Sequence, residues 1–336
     1  MTQQKMTLDE IEQMAREALE SAGTRKESAS SLAHAIMAAE RDGVHSHGLV
    51  YVPIYCEHVK CGKVKGDAIP SVTTPAKSSI AVDAHTGFAH PAIDLGFRHL
   101  VPTSRTFGVA GMAIRNSYNC GVLGYHVERL ANAGLLGLGF TNAPASIAPI
   151  GGRTPVIGTN PFALAVPGKN NTAAFIIDQS ASVVAKSEII MHAQNGKPIP
   201  TGWGLDSKGE PTTDASIALK GSMAPSGGYK GFGIGLLVEV FAAALSGAML
   251  GKDASPFSGT SGGPPKTGQF FLAISPESFS GEIFFKRINE LIKEINHQPG
   301  ARIPGDRRQQ NRTKHSRDGV LVDLGLISRI QAISSS

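Results

Sequence analysis

A serine and a histidine stand side by side in the segment RDGVHSHG, from Arg41 to Gly48, which separates two apolar helical stretches. Ser46 and His47 place a hydroxyl beside an imidazole, the side chain best suited to move a proton near neutral pH. The chain lacks the G-x-S-x-G turn of many hydrolases, and the H-x-H pair of His45 and His47 has no further metal ligands beside it in sequence. From these residues alone a solvated or capping loop is the favoured interpretation, with proton transfer by His47 as the functional alternative, and no metal site is expected.

Glycine-rich turns in three places carry polar residues that suit phosphate groups. They are IGGRTPVIGTNP at Ile150–Pro161, APSGGYKGFG at Ala224–Gly233 and RIPGDRR at Arg302–Arg308. Backbone N–H groups at a helix start, together with cations such as Lys230, are what phosphate binding requires. Neither a G-x-G-x-x-G motif after a strand nor a P-loop occurs, so a conventional dinucleotide-binding fold is not expected. Taken singly, each turn is also compatible with an ordinary structural role.

The composition is that of a globular protein. The chain has 336 residues, 41% of them hydrophobic and 18% charged, with a formal net charge of +5. This length is sufficient for a full enzyme core, and the composition excludes a disordered chain. A long apolar stretch, Gly231–Leu250, is interrupted by glycines and carries Glu239, so no membrane span is expected. The segment Met1–Glu10 is too polar for a secretory signal, and we expect a cytoplasmic protein.

Nucleic acid and zinc are not expected as partners. Basic residues are spread along most of the chain, and their one cluster, Arg302–Arg317, has no aromatic residues for base stacking. Cys56 and Cys61 form a C-x4-C pair, but no second Cys or Cys/His pair lies nearby. The 39 glycines and 20 prolines instead indicate many special backbone positions.

A helical region precedes a mixed region along the chain. Thr7 and Glu10 form a capping box that starts the first helix. From about Ile69, short β-rich runs alternate with helical patterns, which predicts a mixed α/β domain. Helices are predicted at Ser28–Arg41, Leu49–His58, Pro91–Leu100, Val122–Ala133, Val183–Gln194, Gly231–Leu250 and Gly281–His297, and strands at Ser79–Val82, Val109–Ile114, Leu135–Thr141, Phe162–Val166, Ala174–Asp178 and Gln269–Ile274. A closing helix, Leu324–Ile330, is predicted to return to the N-terminal helices.

Taken together, these segments resemble the malate/L-lactate dehydrogenase-type family of NAD(P)-dependent oxidoreductases, which differs in fold from the Rossmann dehydrogenases. The resemblance extends from about Asp42 to Val322, which is nearly the whole chain. Its motifs are SHG at Ser46–Gly48, GTNP at Gly158–Pro161, IIDQSAS at Ile176–Ser182, GGYKGFG at Gly227–Gly233 and PGDRR at Pro304–Arg308. Within the family, RDG followed by HSHG is more similar to the Δ1-piperideine-2-carboxylate/Δ1-pyrroline-2-carboxylate reductases than to the malate branch.

The resemblance implies a catalytic set of Ser46, His47 and Asp178. His47 would donate a proton to the substrate nitrogen, Ser46 and Asp178 would orient and charge its imidazole, and the nicotinamide would supply a hydride. The implied cofactor-binding residues are Asn119, Cys120, Gly121, Val122, Leu123, Ile176, Ile177, Asp178, Tyr229, Lys230, Arg302, Ile303, Pro304, Gly305, Asp306, Arg307 and Arg308. Arg307 and Arg308 suit a 2′-phosphate, which favours NADPH over NADH.

The substrate-contacting positions of the family fall on Thr159 and Tyr51, and the second departs from the family pattern. Tyr51 stands where the family usually has an arginine for the substrate carboxylate, and Asn119 stands where it usually has a histidine. A tyrosine donates one hydrogen bond but not the paired, charged hydrogen bonds of an arginine. Either another cation binds the carboxylate, for which His126 and Arg153 are candidates, or the substrate differs.

The resemblance implies NADPH-dependent reduction of cyclic imino acids, giving L-proline from Δ1-pyrroline-2-carboxylate or L-pipecolate from Δ1-piperideine-2-carboxylate. The alternatives are a 2-oxo acid substrate, as in malate, lactate or ureidoglycolate dehydrogenases, and a non-catalytic NADPH-binding protein. The implied fold is of the α/β (α+β) class. It has a non-Rossmann NAD(P)-binding mixed-sheet domain at residues 69–305 and a helical domain built from residues 1–68 and 306–336. A homodimer that acts on a small-molecule substrate is expected.

Overall fold

The N-terminal part is helical, as the sequence predicts. The computed structural model describes residues 2–335. Its first elements are strand β1 (Gln3–Met6) and helices α1 (Leu8–Ser21), α2 (Lys26–Arg41) and α3 (Val52–Lys60), with short 3₁₀ turns at His45–His47 and Leu49–Tyr51 between α2 and α3. In the capping box, Thr7 Oγ1 accepts a hydrogen bond from Glu10 N at 3.2 Å and Glu10 Oε2 accepts one from Thr7 N at 2.7 Å. This box fixes the start of α1, whose apolar face is buried.

Strands and helices alternate along the rest of the chain. In order they are β2 (Ser71–Ala76), β3 (Ser79–Asp83), α4 (Ala89–Phe107), β4 (Val109–Ser117), α5 (Leu123–Asn132), β5 (Leu136–Thr141), β6 (Phe162–Pro167), β7 (Ala173–Gln179), α6 (Lys186–Gln194), β8 (Gly204–Leu205), β9 (Pro211–Thr212), α7 (Ala215–Lys220), β10 (Ser222–Met223), α8 (Tyr229–Glu239), β11 (Thr267–Ile274), α9 (Glu282–Asn296), α10 (Asp306–Asp318), β12 (Val320–Asp323) and α11 (Leu324–Ser334). A π-helical turn, Val240–Leu245, extends α8, and a 3₁₀ turn, Pro276–Ser278, follows β11. The short strands β8, β9 and β10 form a small separate sheet.

A seven-stranded mixed sheet forms the centre of the molecule, in the order β2-β3-β4-β11-β5-β6-β7. Only β3 and β4 run parallel in this sheet, and its other neighbouring strands are antiparallel. Helices α4 and α5 pack on it through buried side chains that include Ile93, Val127 and Phe271. A Rossmann fold has a mostly parallel sheet instead. The predicted non-Rossmann mixed α/β class is therefore confirmed.

The two ends of the described chain meet. Strand β12 pairs antiparallel with β1, so that Gln3 lies opposite Asp323 and Met6 lies opposite Val320. Helix α11 then joins the hydrophobic core of α1, α2 and α3 through buried residues such as Ile330. The predicted return of the closing helix to the N-terminal helices is thus observed. Because α10 directly precedes β12, the pairing of β12 with β1 also places this polar helix near the Ser46 to Gly48 motif.

Several elements differ from the prediction, three helices among them. Helix α4 continues to Phe107, beyond its predicted end, because Pro102 removes only one backbone donor and does not stop the helix. The predicted helix at Gly231–Leu250 is divided into α8 and its π-helical extension. Helix α10 was not predicted, because its sequence has no apolar face. In the structure none of its residues is buried. Its position depends on charged contacts instead.

Candidate active site

His47 lies on the short 3₁₀ turn between α2 and α3. The Ser46 hydroxyl is 3.1 Å from His47 Nδ1, so the two predicted partners are within hydrogen-bonding distance. The Tyr51 ring stacks on the imidazole, with ring centroids 5.6 Å apart and planes 17° from parallel. Because Ser46 engages Nδ1 and Tyr51 covers one face, the Nε2 atom of His47 is the nitrogen left for a substrate.

Glu40, near the end of α2, holds this turn in place. Its carboxylate is 5% exposed and accepts a hydrogen bond from the Leu49 N–H at 2.7 Å. The other carboxylate oxygen hydrogen-bonds to His45 Nδ1, and this contact raises the pKa of His45 above its ordinary value. A Cβ at Gly48 would lie 2.1 Å from a Glu40 oxygen. The glycine of the SHG motif is therefore required by packing.

Asp178, at the end of β7, approaches His47 from the sheet. Its Oδ2 accepts hydrogen bonds from the Gly124 N–H at 3.0 Å and from Arg308 Nη2 at 2.8 Å. Gly124 lies in the first turn of α5, where N–H groups lack partners within the helix and favour an anion. The side chains of Arg308 and Asp178 are only 24% and 12% exposed. The pair is therefore an ion pair that is largely shielded from water.

Both charges of this pair act on His47. Burial lowers the pKa of His47 below its ordinary value, while the negative charge of Asp178 raises it and the positive charge of Arg308 lowers it further. The imidazole is consequently mostly neutral at pH 7, and its protonated form is a ready donor. Ser46 and Asp178 thus both act on His47, one through a hydrogen bond and the other through its charge. Within residues 2–335, however, no hydrogen bond joins Asp178 to the imidazole, so the carboxylate acts through its charge.

Arg308 has a place that sequence reasoning did not assign. The sequence groups it with Arg307 as a ligand for a cofactor phosphate, and the structure pairs its guanidinium with Asp178 beside His47. The glycine at position 124 is the one sequence signal of the contact between Arg308 and Asp178. A Cβ at Gly124 would lie 2.5 Å from Arg308 Nη1 and 2.7 Å from Asp178 Oδ2. Only glycine leaves room for the pair at this position of α5.

Two of the predicted cofactor segments meet beside β7. The Pro304 carbonyl accepts a hydrogen bond from the Ile176 N–H at 3.2 Å, which joins the RIPGD loop to the strand that carries Asp178. The loop turns at Gly305 with a φ of +98°, a conformation that favours glycine. The side chains of Arg302 and Arg307 are exposed on either side of this turn. Their charges are therefore open to an anionic ligand.

The third predicted cofactor segment, Asn119–Leu123, leads into α5. Asn119 Oδ1 accepts hydrogen bonds from the Gly121 N–H at 2.7 Å and from the Tyr55 hydroxyl at 3.2 Å. These contacts fix the loop against α3. Asn119 also faces Tyr51, whose pKa is raised by burial and lowered in part by this amide. The two residues that depart from the family pattern are thus neighbours, and both are uncharged.

Of the two candidate cations for the substrate carboxylate, His126 does not fit that role, while Arg153 stays a prediction. His126 is fully buried, donates from Nε2 to the Cys120 carbonyl at 2.9 Å, and has a pKa that burial holds well below its ordinary value. It is a neutral residue behind the loop, so its assignment as a cation is wrong. Arg153 is exposed and lies against the turn at Gly209, between the short strands β8 and β9. The cation found next to His47 is Arg308.

The remaining predicted residues lie on other turns. Asn160, beside Thr159 in the GTNP turn, is fully buried and donates from Nδ2 to Glu239 Oε2 at 2.7 Å. This contact fixes the turn on α8. Tyr229 and Lys230, at the start of α8, are exposed. Within residues 2–335, neither makes a hydrogen bond or ion pair with the group around His47.

Neither a metal-ligand group nor a membrane-spanning helix is found among the described residues. Between residues 2 and 335, no three His, Cys, Asp or Glu side chains lie close enough together to hold a metal ion. Cys56, Cys61 and Cys120 are all free thiols. Over the same residues, the helices are too short or too polar for any of them to cross a bilayer.

Comparison with known proteins agrees with this fold. The sequence profile of the malate/L-lactate dehydrogenase family matches residues 6–331. The chain is 42% identical to a (2R)-3-sulfolactate dehydrogenase (NADP(+)) of Chromohalobacter salexigens, over 98% of each protein. It is 37% identical to a Delta(1)-pyrroline-2-carboxylate/Delta(1)-piperideine-2-carboxylate reductase of Pseudomonas aeruginosa, over 98% of this chain and 99% of that protein.

A solved structure supports the same relationship. The crystal structure of delta1-piperideine-2-carboxylate reductase from Pseudomonas syringae superposes with a TM-score of 0.92 at 32% sequence identity, and the match covers 98% of this chain and 99% of that one. The chain therefore belongs to the malate/L-lactate dehydrogenase family and is an oxidoreductase. The resemblance noted in the sequence motifs is confirmed.

The packing at Gly124 gives the first prediction. Gly124→Ala should lower kcat/KM by on the order of 10- to 100-fold, because the added Cβ displaces the Asp178 and Arg308 side chains. Gly263→Ala is the matched control, since no atom lies within 4 Å of its added Cβ. Steady-state kinetics and thermal unfolding of both variants measure the effect. Equal activity in the two variants would contradict the close packing around Asp178.

Proposed function

We propose that this protein uses NADPH to reduce cyclic imino acids, converting Δ1-pyrroline-2-carboxylate to L-proline and Δ1-piperideine-2-carboxylate to L-pipecolate. The Asp178 and Arg308 pair beside His47 is the observation that carries this proposal. A cyclic imino acid carries a negative carboxylate, and its ring nitrogen becomes positive when it takes up a proton from the donor, so two opposite charges next to that donor complement it. Similarity to relatives named as reductases of these compounds supports the same substrate class.

The residues beside β7 suit a dinucleotide phosphate. The exposed guanidinium groups of Arg302 and Arg307 flank the turn at Gly305, where a ligand can approach the backbone closely. Arginine binds phosphate oxygens through paired N–H donors. We favour NADPH over NADH because these cations can pair with the additional 2′-phosphate. When bound, NADPH supplies the hydride.

His47 and its neighbours supply the proton. Reduction of a C=N bond adds a hydride to carbon and a proton to nitrogen, so the reaction balances when His47 Nε2 releases its proton to the substrate nitrogen. Ser46 holds Nδ1, and the stacked Tyr51 ring keeps water from one face of the imidazole. The negative charge of Asp178 stabilises the imidazolium that must form before each transfer.

The proton donor predicts how the rate depends on pH. Because only the protonated imidazole donates, the rate of reduction should fall about tenfold for each pH unit above the pKa of His47. That pKa is lowered from its ordinary value, so the fall covers the neutral and alkaline range. Oxidation needs the neutral imidazole and should rise through the same pKa, then level off. Initial rates in both directions across this range test the prediction, and equal pH profiles in the two directions would contradict it.

Replacement of the histidine tests its role directly. His47→Ala should lower kcat by on the order of 10²- to 10⁴-fold and remove the pH dependence assigned to the donor. His34→Ala, at a histidine of α2 whose side chain is 52% exposed, is the matched control and should retain activity. If His47→Ala turns over as fast as this control, His47 has no part in the mechanism.

A 2-oxo acid is the second candidate substrate. The relative at 42% identity is named a (2R)-3-sulfolactate dehydrogenase, and reduction of a carbonyl group needs a proton donor of the same kind. In that case His47 protonates the oxygen and Arg308 pairs with the carboxylate. An acid with two anionic groups requires a further cation, so only one of the exposed Arg302 and Arg307 would be left for the cofactor phosphate.

A substrate panel distinguishes these candidates. The purified protein is assayed for NADPH consumption with the two cyclic imino acids and with pyruvate, oxaloacetate and the 2-oxo acid of 3-sulfolactate. We expect kcat/KM for an imino acid to exceed that for every 2-oxo acid by at least about tenfold. Faster turnover of a 2-oxo acid would favour the second candidate. NADPH binding without turnover of any of them would indicate a non-catalytic binding protein.

We also propose that the protein is a homodimer. Helix α8 and its π-helical extension expose Leu237 and Val240 by 47% and 56%, and α9, in which no residue is buried, exposes Ile283 and Leu291 by 61% and 51%. Exposed apolar residues grouped on helices are typical of association surfaces. The proposed occupant of these surfaces is a second copy of the chain.

Light scattering tests the dimer. The native protein should have the mass of two chains, and Val240→Asp should shift it to the mass of one, because a charge buried in an apolar interface is unfavourable. Ile217→Asp, at a residue of α7 that is 45% exposed, is the control and should remain a dimer. A native protein with the mass of one chain would contradict the proposal.

A further inference from the structure

Arg312 pairs with two carboxylates at once. Its Nε and Nη2 donate to the two oxygens of Asp42 at 3.0 and 2.6 Å, and its Nη1 and Nη2 donate to the two oxygens of Glu128 at 2.6 and 2.9 Å. These three side chains are between 11% and 22% exposed. Arg41 also donates to Asp42, at 2.8 Å, so the group contains two cations and two anions. Such paired bonds leave the Arg312 guanidinium little freedom to move.

This cluster fixes α10 on the loop that carries His47. Asp42 directly follows α2 and begins that loop. Two more contacts join the same segments: Asn311 Nδ2 donates to the Asp42 carbonyl at 3.2 Å, and His315 Nδ1 donates to the Arg41 carbonyl at 2.9 Å. Helix α10 is therefore held over more than one turn. None of its residues is buried, so these polar contacts replace the usual apolar packing.

Helices α5 and α10 each present two contact residues one turn apart. On α5, Gly124 holds Asp178 and Glu128 holds Arg312. On α10, Arg308 binds Asp178 and Arg312 binds Glu128. Residues four apart share one helix face and are separated by roughly 6 Å along its axis. The contact at Glu128 thus fixes the distance and angle at which Arg308 reaches Asp178.

We propose that Arg312 is a positioning residue that holds Arg308 on Asp178, and hence the charge pair beside His47, by clamping α10 to α5 and to the His47 loop. The inference rests on the proposed role of His47 as proton donor. Arg312 itself acts through Arg308 and does not touch the imidazole. A lysine at this position cannot replace it, because one ammonium group does not offer a planar fork to two carboxylates.

A double-mutant cycle tests whether Arg312 acts through Arg308. Arg312→Gln should lower kcat by on the order of 10- to 100-fold, the effect of a small displacement of catalytic groups. In an Arg308→Met background the same substitution should have a much smaller effect, because the residue that it positions is already gone and only the contact with Asp42 remains to be lost. Arg317→Gln, at an arginine of α10 whose side chain is 78% exposed, is the control and should keep the wild-type kcat. Multiplicative effects of the two substitutions, or a loss confined to NADPH affinity, would overturn the proposal.

A second measurement does not depend on turnover. The pKa of His47 is followed by NMR in protein with labelled histidine, and His47→Ala assigns the signal. In Arg312→Lys, which keeps the positive charge, the pKa of His47 should rise toward its ordinary value of about 6.5, because the loosened pair admits water. An unchanged pKa would overturn the positioning role.

The two measurements also separate this inference from the proposed function. A protein that turns over no imino or 2-oxo acid would refute the proposed function, while the titration would still decide the role of Arg312. Where Arg312→Gln does not fold, Arg312→Lys and Asp42→Asn replace it in the cycle, since each removes only part of the cluster. The same multiplicative result in those variants would count against the proposal.

Discussion

The Asp178 carboxylate is the group on which the rest of the site depends. A charge shielded from water must be matched by hydrogen bonds and by an opposite charge. Strand β7 supplies the acid, the first turn of α5 supplies the Gly124 N–H, and α10 supplies Arg308. These elements come from three distant parts of the chain. The mixed sheet and the pairing of β1 with β12 are therefore conditions for the chemistry, because they bring α10 and the His47 loop to the same place.

The environment of His47 suits a family whose named members act on different substrates. In the proposed role of proton donor, a histidine with a lowered pKa would serve reduction of a C=N bond and of a C=O bond alike. The distinction between substrates must then come from the groups that recognise the acid. In this chain the position that usually carries an arginine is Tyr51, which stacks on the imidazole, and the nearby cation is Arg308. The carboxylate is thus expected to bind from the side of α10.

Much of this arrangement can be predicted from local sequence, and the parts that were not predicted share one cause. Capping signals and hydrophobic periodicity predict α1, α2 and most strands of the central sheet. Motif resemblance predicts Ser46, His47 and Asp178 as the catalytic set. Helix α10 escaped prediction because its residues have no apolar period and are held by ion pairs with distant residues such as Asp42. Such contacts leave no signal in local sequence.

The same cause explains the individual assignments that changed. His126 was a candidate cation because histidine can carry a charge, and only the folded structure shows that it is buried and neutral. The assignment of Arg308 to a cofactor phosphate stays a prediction, and the structure adds to it an ion pair with Asp178 on β7. The division into a helical domain, residues 1–68 with 306–336, and an α/β domain, residues 69–305, stays a prediction.

The most direct test of this account is a crystal structure with NADPH and a planar, non-reducible analogue of a cyclic imino acid. We expect the ring nitrogen of the analogue within hydrogen-bonding distance of His47 Nε2, its carboxylate against Arg308, and the Asp178 contact with Gly124 intact. A nicotinamide and analogue bound away from Ser46, His47, Asp178 and Arg308 would contradict the account.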